Sequence, residues 1–255
     1  MTEFGYFKGI KTAFRCSGQG RDVILLHGWG QNMQMMSAAE NYLNQYFRVW
    51  NLDFPGFGES DEPDAAWGVS DYEDFLDDFI RVNGISEVIL IGHSFGCRAA
   101  IRYAADHPDT VRKMCLTGAA GIRPKQTAEM KLRTKAYKAG KWFLKATGQN
   151  KKLEELQNRS GSADYRNARG VMRETFVKVV NDDVTPVLKD VRCPVLLVWG
   201  SEDTAAPLWM GQMMEKEMPD AGLAVFEGDD HFAYWHQPDR FNRVLDIFLK
   251  EDKTC

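Results

Sequence analysis

The segment Val88-Ile-Leu-Ile-Gly-His-Ser-Phe-Gly-Cys97 joins a short apolar run to a serine flanked by glycines. Val88 to Ile91 has the continuous apolar character of a strand buried on both faces. Small residues dominate from Cys97 to Ala105, which suits a helix packed closely on a sheet. Between them lies Gly92-His-Ser-Phe-Gly96, a G-x-S-x-G pattern in a strand–turn–helix setting. Such a turn forces Ser94 into strained backbone geometry, so its neighbours must be small, hence Gly92 and Gly96. The Ser94 hydroxyl is expected to project above the sheet, at the electropositive end of the helix. A Gly-rich turn with an incidental serine is the plainer reading, and the strand and helix on either side weigh against it.

Similar runs recur in both directions. Lys11–Cys16, Val23–His27, Arg48–Asp53, Lys113–Thr117, Cys193–Trp199 and Leu223–Phe226 read as strands. Helices are expected over Met33–Tyr46, Asp71–Asn83 with Ser70 as N-cap, Leu208–Met218 and Asp239–Lys250. Alternation with short connections predicts an α/β fold with a mostly parallel sheet flanked by helices. From Ile122 to Thr185 no run reads as a buried strand. That interval reads as two or three amphipathic helices, with loops at Gly148–Asn150 and Ser160–Ser162. The expected organisation is a core of residues 1–121 and 186–255 with a helical insertion at 122–185.

The 255 residues carry a net charge of −4, with 44% apolar and 27% charged residues, which excludes a disordered or collagen-like chain. Mild acidity gives no reason to expect nucleic acid as a partner. The charge is uneven: residues 122–185 hold 15 Lys and Arg against 7 Asp and Glu, or +8, leaving −12 elsewhere. This opposition predicts attraction between insertion and core, or toward an anionic substrate. Leu132, Ala136, Ala139, Phe143 and Ala146 recur at helical spacing, with Lys131, Lys135, Lys138, Lys141 and Lys145 mostly elsewhere on the wheel. That is a weak membrane binder at best, and a solvated basic face is the plainer reading.

The five cysteines are scattered, without a CxxC pair, so no zinc site or redox motif is suggested. Cys115 and Cys193 are expected as small core residues. Residues 1–11 lack the apolar core of a signal peptide and no run is long enough to span a membrane, so a reducing cytoplasm is the expected setting. Gly18-Gln-Gly20 precedes a strand instead of opening a helix, which removes the mechanism for phosphate binding.

A serine nucleophile needs a base, and the base needs an orienting carboxylate. His231, in Gly228-Asp-Asp-His231-Phe232, follows the last strand and is the candidate base; His236 is the competitor. The candidate carboxylate is Asp203, in Gly200-Ser-Glu-Asp203, with Glu202 in reserve. His27-Gly-Trp-Gly30 follows an early strand. Its backbone and that of the serine turn offer the N–H groups of Trp29 and Phe95 as an oxyanion hole. His27 itself is expected to pin this loop. Tyr137, Trp142 and Phe143 are expected to line an acyl pocket with Trp29, Phe95, Phe232 and Trp235, although core packing is equally natural for each.

Taken together, His27-Gly-Trp-Gly30, Asp53-Phe-Pro-Gly-Phe-Gly-Glu-Ser60, Gly92-His-Ser-Phe-Gly96, Gly200-Ser-Glu-Asp203 and Asp230-His231 resemble the α/β-hydrolase family over some three quarters of the chain. The resemblance implies an eight-stranded sheet and an inserted helical cap over the active site. It also implies hydrolysis through a Ser94 acyl-enzyme with Asp203 and His231, without metal or organic cofactor. The substrate it implies is a small molecule, acyl or anionic. A carboxylesterase acting on a small or medium acyl ester is the first expectation. Carbon–carbon bond hydrolysis of a dienoic keto acid, with the same three residues, is the alternative. A non-catalytic ligand-binding role is a third reading, disfavoured because all three residues are present.

Overall fold

The structure, a computed structural model, describes residues 1–123, 128–149, 152, 156 and 162–253. Eight strands form one sheet: β1 (Glu3–Phe7), β2 (Ile10–Ser17), β3 (Asp22–Leu26), β4 (Arg48–Leu52), β5 (Val88–His93), β6 (Val111–Thr117), β7 (Val195–Gly200) and β8 (Ala221–Phe226). Their spatial order is β1-β2-β4-β3-β5-β6-β7-β8. β1 and β2 run antiparallel to their neighbours, and the remaining pairs are parallel. Lys8 and Gly9, both at positive φ, close the β1–β2 hairpin in two residues.

The apolar runs behave as their composition demands. Every residue of β3, β5 and β7 is buried. Along β3, Ile24 and Leu26 face one apolar layer while Val23 and Leu25 face the other. The first layer is covered by α2 (Val69–Val82) and α3 (Phe95–Asp106), the second by α1 (Ser37–Leu43) and a late helix over Pro238–Phe248. Cys115 and Cys193 are buried as expected of small core residues.

Two helix starts differ from expectation. Ser70 lies inside α2, and Gly68 is the N-cap; the Asp71 carboxylate accepts the Gly68 N–H at 2.8 Å and so replaces the expected hydroxyl cap. The helix expected from Met33 opens with a 3-10 turn over Met33–Met36. There the Met33 N–H is taken by Asp53 Oδ1 at 2.6 Å and its carbonyl by Asn51 Nδ2 at 2.9 Å, so sheet side chains set the first turn.

Between β6 and β7 the described residues form α4 (Ala128–Ala146), α5 (Ala163–Asn167) and α6 (Gly170–Val180), followed by a 3-10 turn over Thr185–Asp190. The loop expected at Ser160–Ser162 falls mostly outside the described residues, as do the side chains of Lys131, Leu132 and Lys138. On α4 the half-buried positions are Tyr137, Gly140, Lys141 and Leu144, a stripe at helical spacing that leaves Trp142 and Phe143 outside it. α6 is tied down: Thr175 Oγ1 accepts the Trp67 N–H at 3.0 Å, and Lys178 Nζ donates to the Ala66 carbonyl at 2.5 Å. Arg102 on α3 grips the Asp182 carboxylate at 2.6 and 3.0 Å. That ion pair has the opposite polarity to the expected docking of a basic insertion on an acidic core. The chain resumes with α7 (Leu208–Glu217), α8 (Ala233–His236) and α9 (Pro238–Phe248). Among the described residues no helix is long and apolar enough to cross a membrane.

Candidate active site

Ser94 lies between β5 and α3 with φ 48° and ψ −103°, a region that non-glycine residues seldom occupy. Its N–H donates to the Thr117 carbonyl at 3.0 Å, and its own carbonyl accepts from Ala120 N–H at 3.2 Å. The turn is therefore held from β6. α3 begins at Phe95, two residues before the expected start, so Ser94 occupies the N-cap position of the helix. Gly96 allows this turn to press against β3. A Cβ there would lie 2.4 Å from the Leu26 carbonyl oxygen and 2.8 Å from that of His27. Both are backbone atoms that cannot step aside. Gly96→Ala is expected to lower unfolding free energy in urea by about 2–3 kcal/mol; a loss below about 0.5 kcal/mol would show that the turn tolerates the methyl group.

Asp203 follows β7 and is buried. Its Oδ1 accepts the N–H groups of Ala205 and Ala206, both at 2.8 Å, and its Oδ2 accepts from His231 Nδ1 at 2.7 Å. His231 arrives on the loop after β8. That loop abuts β7 because Gly200 has no side chain: a Cβ would meet the Asp230 carbonyl oxygen at 2.2 Å. Under the His231 ring lies that of His93, centroid to centroid 4.7 Å. Burial holds His93 well below the ordinary histidine pKa, so it stays neutral beside its neighbour.

Glu202 is exposed and contributes its backbone, N–H to the Asp229 carbonyl at 2.9 Å. His236 pairs with a different carboxylate, Asp229, at 2.7 Å, and that hydrogen bond raises its pKa. His27 is fully buried and pushed down to about 4 by desolvation. Its Nδ1 donates to the Gly28 carbonyl at 2.7 Å and its Nε2 accepts the Phe54 N–H at 3.0 Å, which pins the loop.

Ser94, His231, Trp29, Phe95 and Phe232 wall one cavity of about 620 Å³. Phe176 and Val179 from α6 and Asp164 from α5 close it from the insertion side. The Trp29 ring bridges the two parts, 5.5 Å from Phe95 and 5.1 Å from Phe176. Tyr137, Trp142, Phe143 and Trp235 are not in this lining. Trp142 and Phe143 are 72% and 56% exposed because they lie off the buried stripe of α4, and Trp235 on α8 is 44% exposed. The Tyr137 phenol bonds to Tyr165 and is pushed up to about 12 by burial.

Arg98, Gln31 and Asp164 line the cavity without having been singled out from the sequence. Arg98 carried a readable signal, since it lies one helical turn after Ser94. Asp164, Phe176 and Val179 depend on how the insertion folds back. Asp164 is exposed at the rim of the cavity, and the partial desolvation of its carboxyl there pushes it up, while the His231 charge opposes the shift.

A family model described as the alpha/beta hydrolase family matches residues 23–244, which include Ser94, Asp203 and His231. The chain belongs to that family. Among curated proteins, this alpha/beta hydrolase is 27% identical to a 2-hydroxy-6-oxononadienedioate/2-hydroxy-6-oxononatrienedioate hydrolase of Burkholderia vietnamiensis, over 94% of this chain and 91% of that protein. It is 29% identical to a 2-hydroxy-6-oxo-6-phenylhexa-2,4-dienoate hydrolase of Burkholderia cepacia, over 91% of this chain and 89% of that one. Among solved structures, an esterase from Exiguobacterium antarcticum superposes with a TM-score of 0.76 at 21% identity, covering 98% of this chain and 100% of the esterase. At that identity the likeness is one of fold.

Proposed function

We propose that this alpha/beta hydrolase is a serine hydrolase with Ser94 as nucleophile, His231 as base and Asp203 as its orienting carboxylate. The observation that carries the reading is the 2.7 Å bond from His231 Nδ1 to Asp203, at a cavity that also takes in the strained Ser94. With Nδ1 committed as donor, Nε2 is the free acceptor for the Ser94 proton. Ser94 Oγ attacks the acyl carbon, and the negative oxygen that develops meets the N–H groups of Trp29 and Phe95. Among the described residues neither N–H donates to another protein group, which leaves both available. The imidazolium then protonates the leaving group, and water activated by the same imidazole releases the acid.

Residues 122–185 act in this reading as a cap on the 1–121 and 186–255 core, supported by the lining that α5 and α6 contribute. The scissile bond is an ester of a small or medium acyl group. The second reading, hydrolysis of a carbon–carbon bond in a dienoic keto acid, is favoured by the two Burkholderia relatives, whose similarity runs over nearly the whole chain. It differs in that the dienol first takes a proton at the carbon next to the 6-oxo group, so that the electron pair of the broken carbon–carbon bond passes to the 2-oxo group, which is protonated in place of a leaving oxygen.

A panel of p-nitrophenyl esters of graded acyl length, with a 2-hydroxy-6-oxo-dienoate included, tests the proposal. Turnover of short and medium esters above all else supports the first reading; turnover of the dienoate above every ester selects the second. A folded protein that turns over neither and takes no fluorophosphonate label sinks both.

A further inference from the structure

The cavity above Ser94 is lined at one side by Arg98, which follows Ser94 by four residues on α3 and so stands about 6 Å further along the same helix face. Arg98 is only 9% exposed. A guanidinium taken this far from water ordinarily has a carboxylate against it, because desolvating the charge alone is costly. The natural candidate, Asp182, does not serve. Arg98 Nη1 donates to the Asp182 backbone carbonyl at 2.7 Å, while the Asp182 carboxylate is gripped by Arg102. The neighbouring Asp183 carboxylate accepts the Thr185 N–H at 3.0 Å. The Asp182 and Asp183 carboxylates act on Arg98 at a distance, opposed by Arg123 and Arg102, and neither carboxylate is hydrogen-bonded to it.

The same cavity also carries the other sign. Asp164 and Asp230 line it near His231. Asp230 is mostly exposed, with one carboxylate oxygen 2.8 Å from the Phe232 N–H and 3.5 Å from His236 Nδ1. An anionic group entering the cavity is therefore repelled by Asp164 and Asp230 and attracted by Arg98. A guanidinium offers five N–H donors in a planar fork, a shape that matches a carboxylate.

We propose that Arg98 is a substrate-recognition residue that binds a carboxylate carried by the acyl part of the substrate, a few bonds from the carbonyl that Ser94 attacks. The placement relative to the reacting carbonyl rests on the hydrolase reading above; the anion subsite itself does not. The substrate class that follows is an acid with a second functional carbonyl: a monoester of a short dicarboxylic acid, or an oxo acid. Arg98 orients the acid by holding its anionic end at α3. The bond to the Asp182 carbonyl holds the fork in place and leaves its remaining donors for the ligand.

Calorimetric titration of the whole protein with glutarate and with its uncharged analogue glutaramide tests the subsite without any turnover. Glutarate is expected to bind about 10- to 100-fold more tightly than glutaramide, the range for hydrogen bonds to a charged group. It should also slow fluorophosphonate labelling of Ser94. Arg98→Met should bring the two affinities together, and Arg98→Lys, which keeps charge but loses the fork, should fall between. A residue that merely tethered Asp182 would lower thermal stability on substitution without changing the preference for the charged ligand. If Arg98→Met does not fold, the wild-type comparison still decides. Equal affinities, or no saturable glutarate binding at millimolar concentration, overturn the subsite. The two readings fail separately. Glutarate binding without any labelling of Ser94 removes the hydrolase reading and keeps the subsite. Labelling and turnover without a preference for glutarate do the reverse.

Discussion

Replacing Ser94 with alanine is expected to reduce turnover by at least about 10⁴-fold and to abolish fluorophosphonate labelling, with the fold retained. The size follows from the role: without an oxygen at this position no acyl-enzyme forms, and only binding and the N–H groups of Trp29 and Phe95 remain to favour reaction with water. The fold should survive because the turn is fixed by backbone bonds, from Ser94 N–H to Thr117 and from Ala120 N–H to Ser94, which alanine keeps. Alanine also keeps the strain of φ 48°. Glycine does not. Ser94→Gly should be as inactive as Ser94→Ala yet more stable by about 1 kcal/mol, because relief of an unfavourable φ outweighs the greater freedom glycine has when unfolded. Turnover with the best panel substrate, together with urea denaturation of both variants, measures the two effects. More than about a tenth of wild-type activity in Ser94→Ala would remove the nucleophile assignment.

The residues of the candidate site were legible because they occur at the ends of strands that are themselves legible. Val88–Ile91 and Val195–Trp199 are apolar without interruption, and burial on both faces is the simplest way to satisfy that pattern. Once the strands are fixed, chain direction carries Ser94, Asp203 and His231 to the same edge of the sheet. What escaped depended on tertiary packing. Ser70 has the chemistry of a cap, yet the Asp71 carboxylate reaches Gly68 and moves the helix start outward. Trp142 and Phe143 suited a pocket by composition, but the stripe of α4 that is half-buried runs through Tyr137 and Leu144, about one residue out of phase with the expected one. The position of Arg98 one turn after Ser94 was legible, but its burial was not, because an arginine in a helix is usually a surface residue. Its burial becomes visible only when α6 and the loop to Asp182 are laid over α3.

Asp203→Asn is the more discriminating change, because it removes no volume and breaks no backbone contact. Asp203 Oδ1 accepts two N–H groups, from Ala205 and Ala206, both at 2.8 Å. An asparagine must satisfy the same two donors, so its carbonyl oxygen takes the Oδ1 position and its NH₂ turns toward His231. There it meets Nδ1, which in the native protein is a donor at 2.7 Å. Two donors cannot face each other, so the imidazole changes tautomer: Nδ1 becomes the acceptor and Nε2 carries the proton. His231 then has no lone pair to offer Ser94. The expected result is a loss of about 10⁴ in kcat near neutral pH, with little change in stability. Hydroxide can bypass the missing base, so activity in the variant should climb with pH where the wild type has levelled off. Nitrogen chemical shifts of the His231 ring report the tautomer directly: protonated Nδ1 in the wild type, protonated Nε2 in the variant. An unchanged tautomer with full activity would mean that Asp203 only packs beside the histidine, and Glu202, exposed one residue earlier, would have no better claim to orient it.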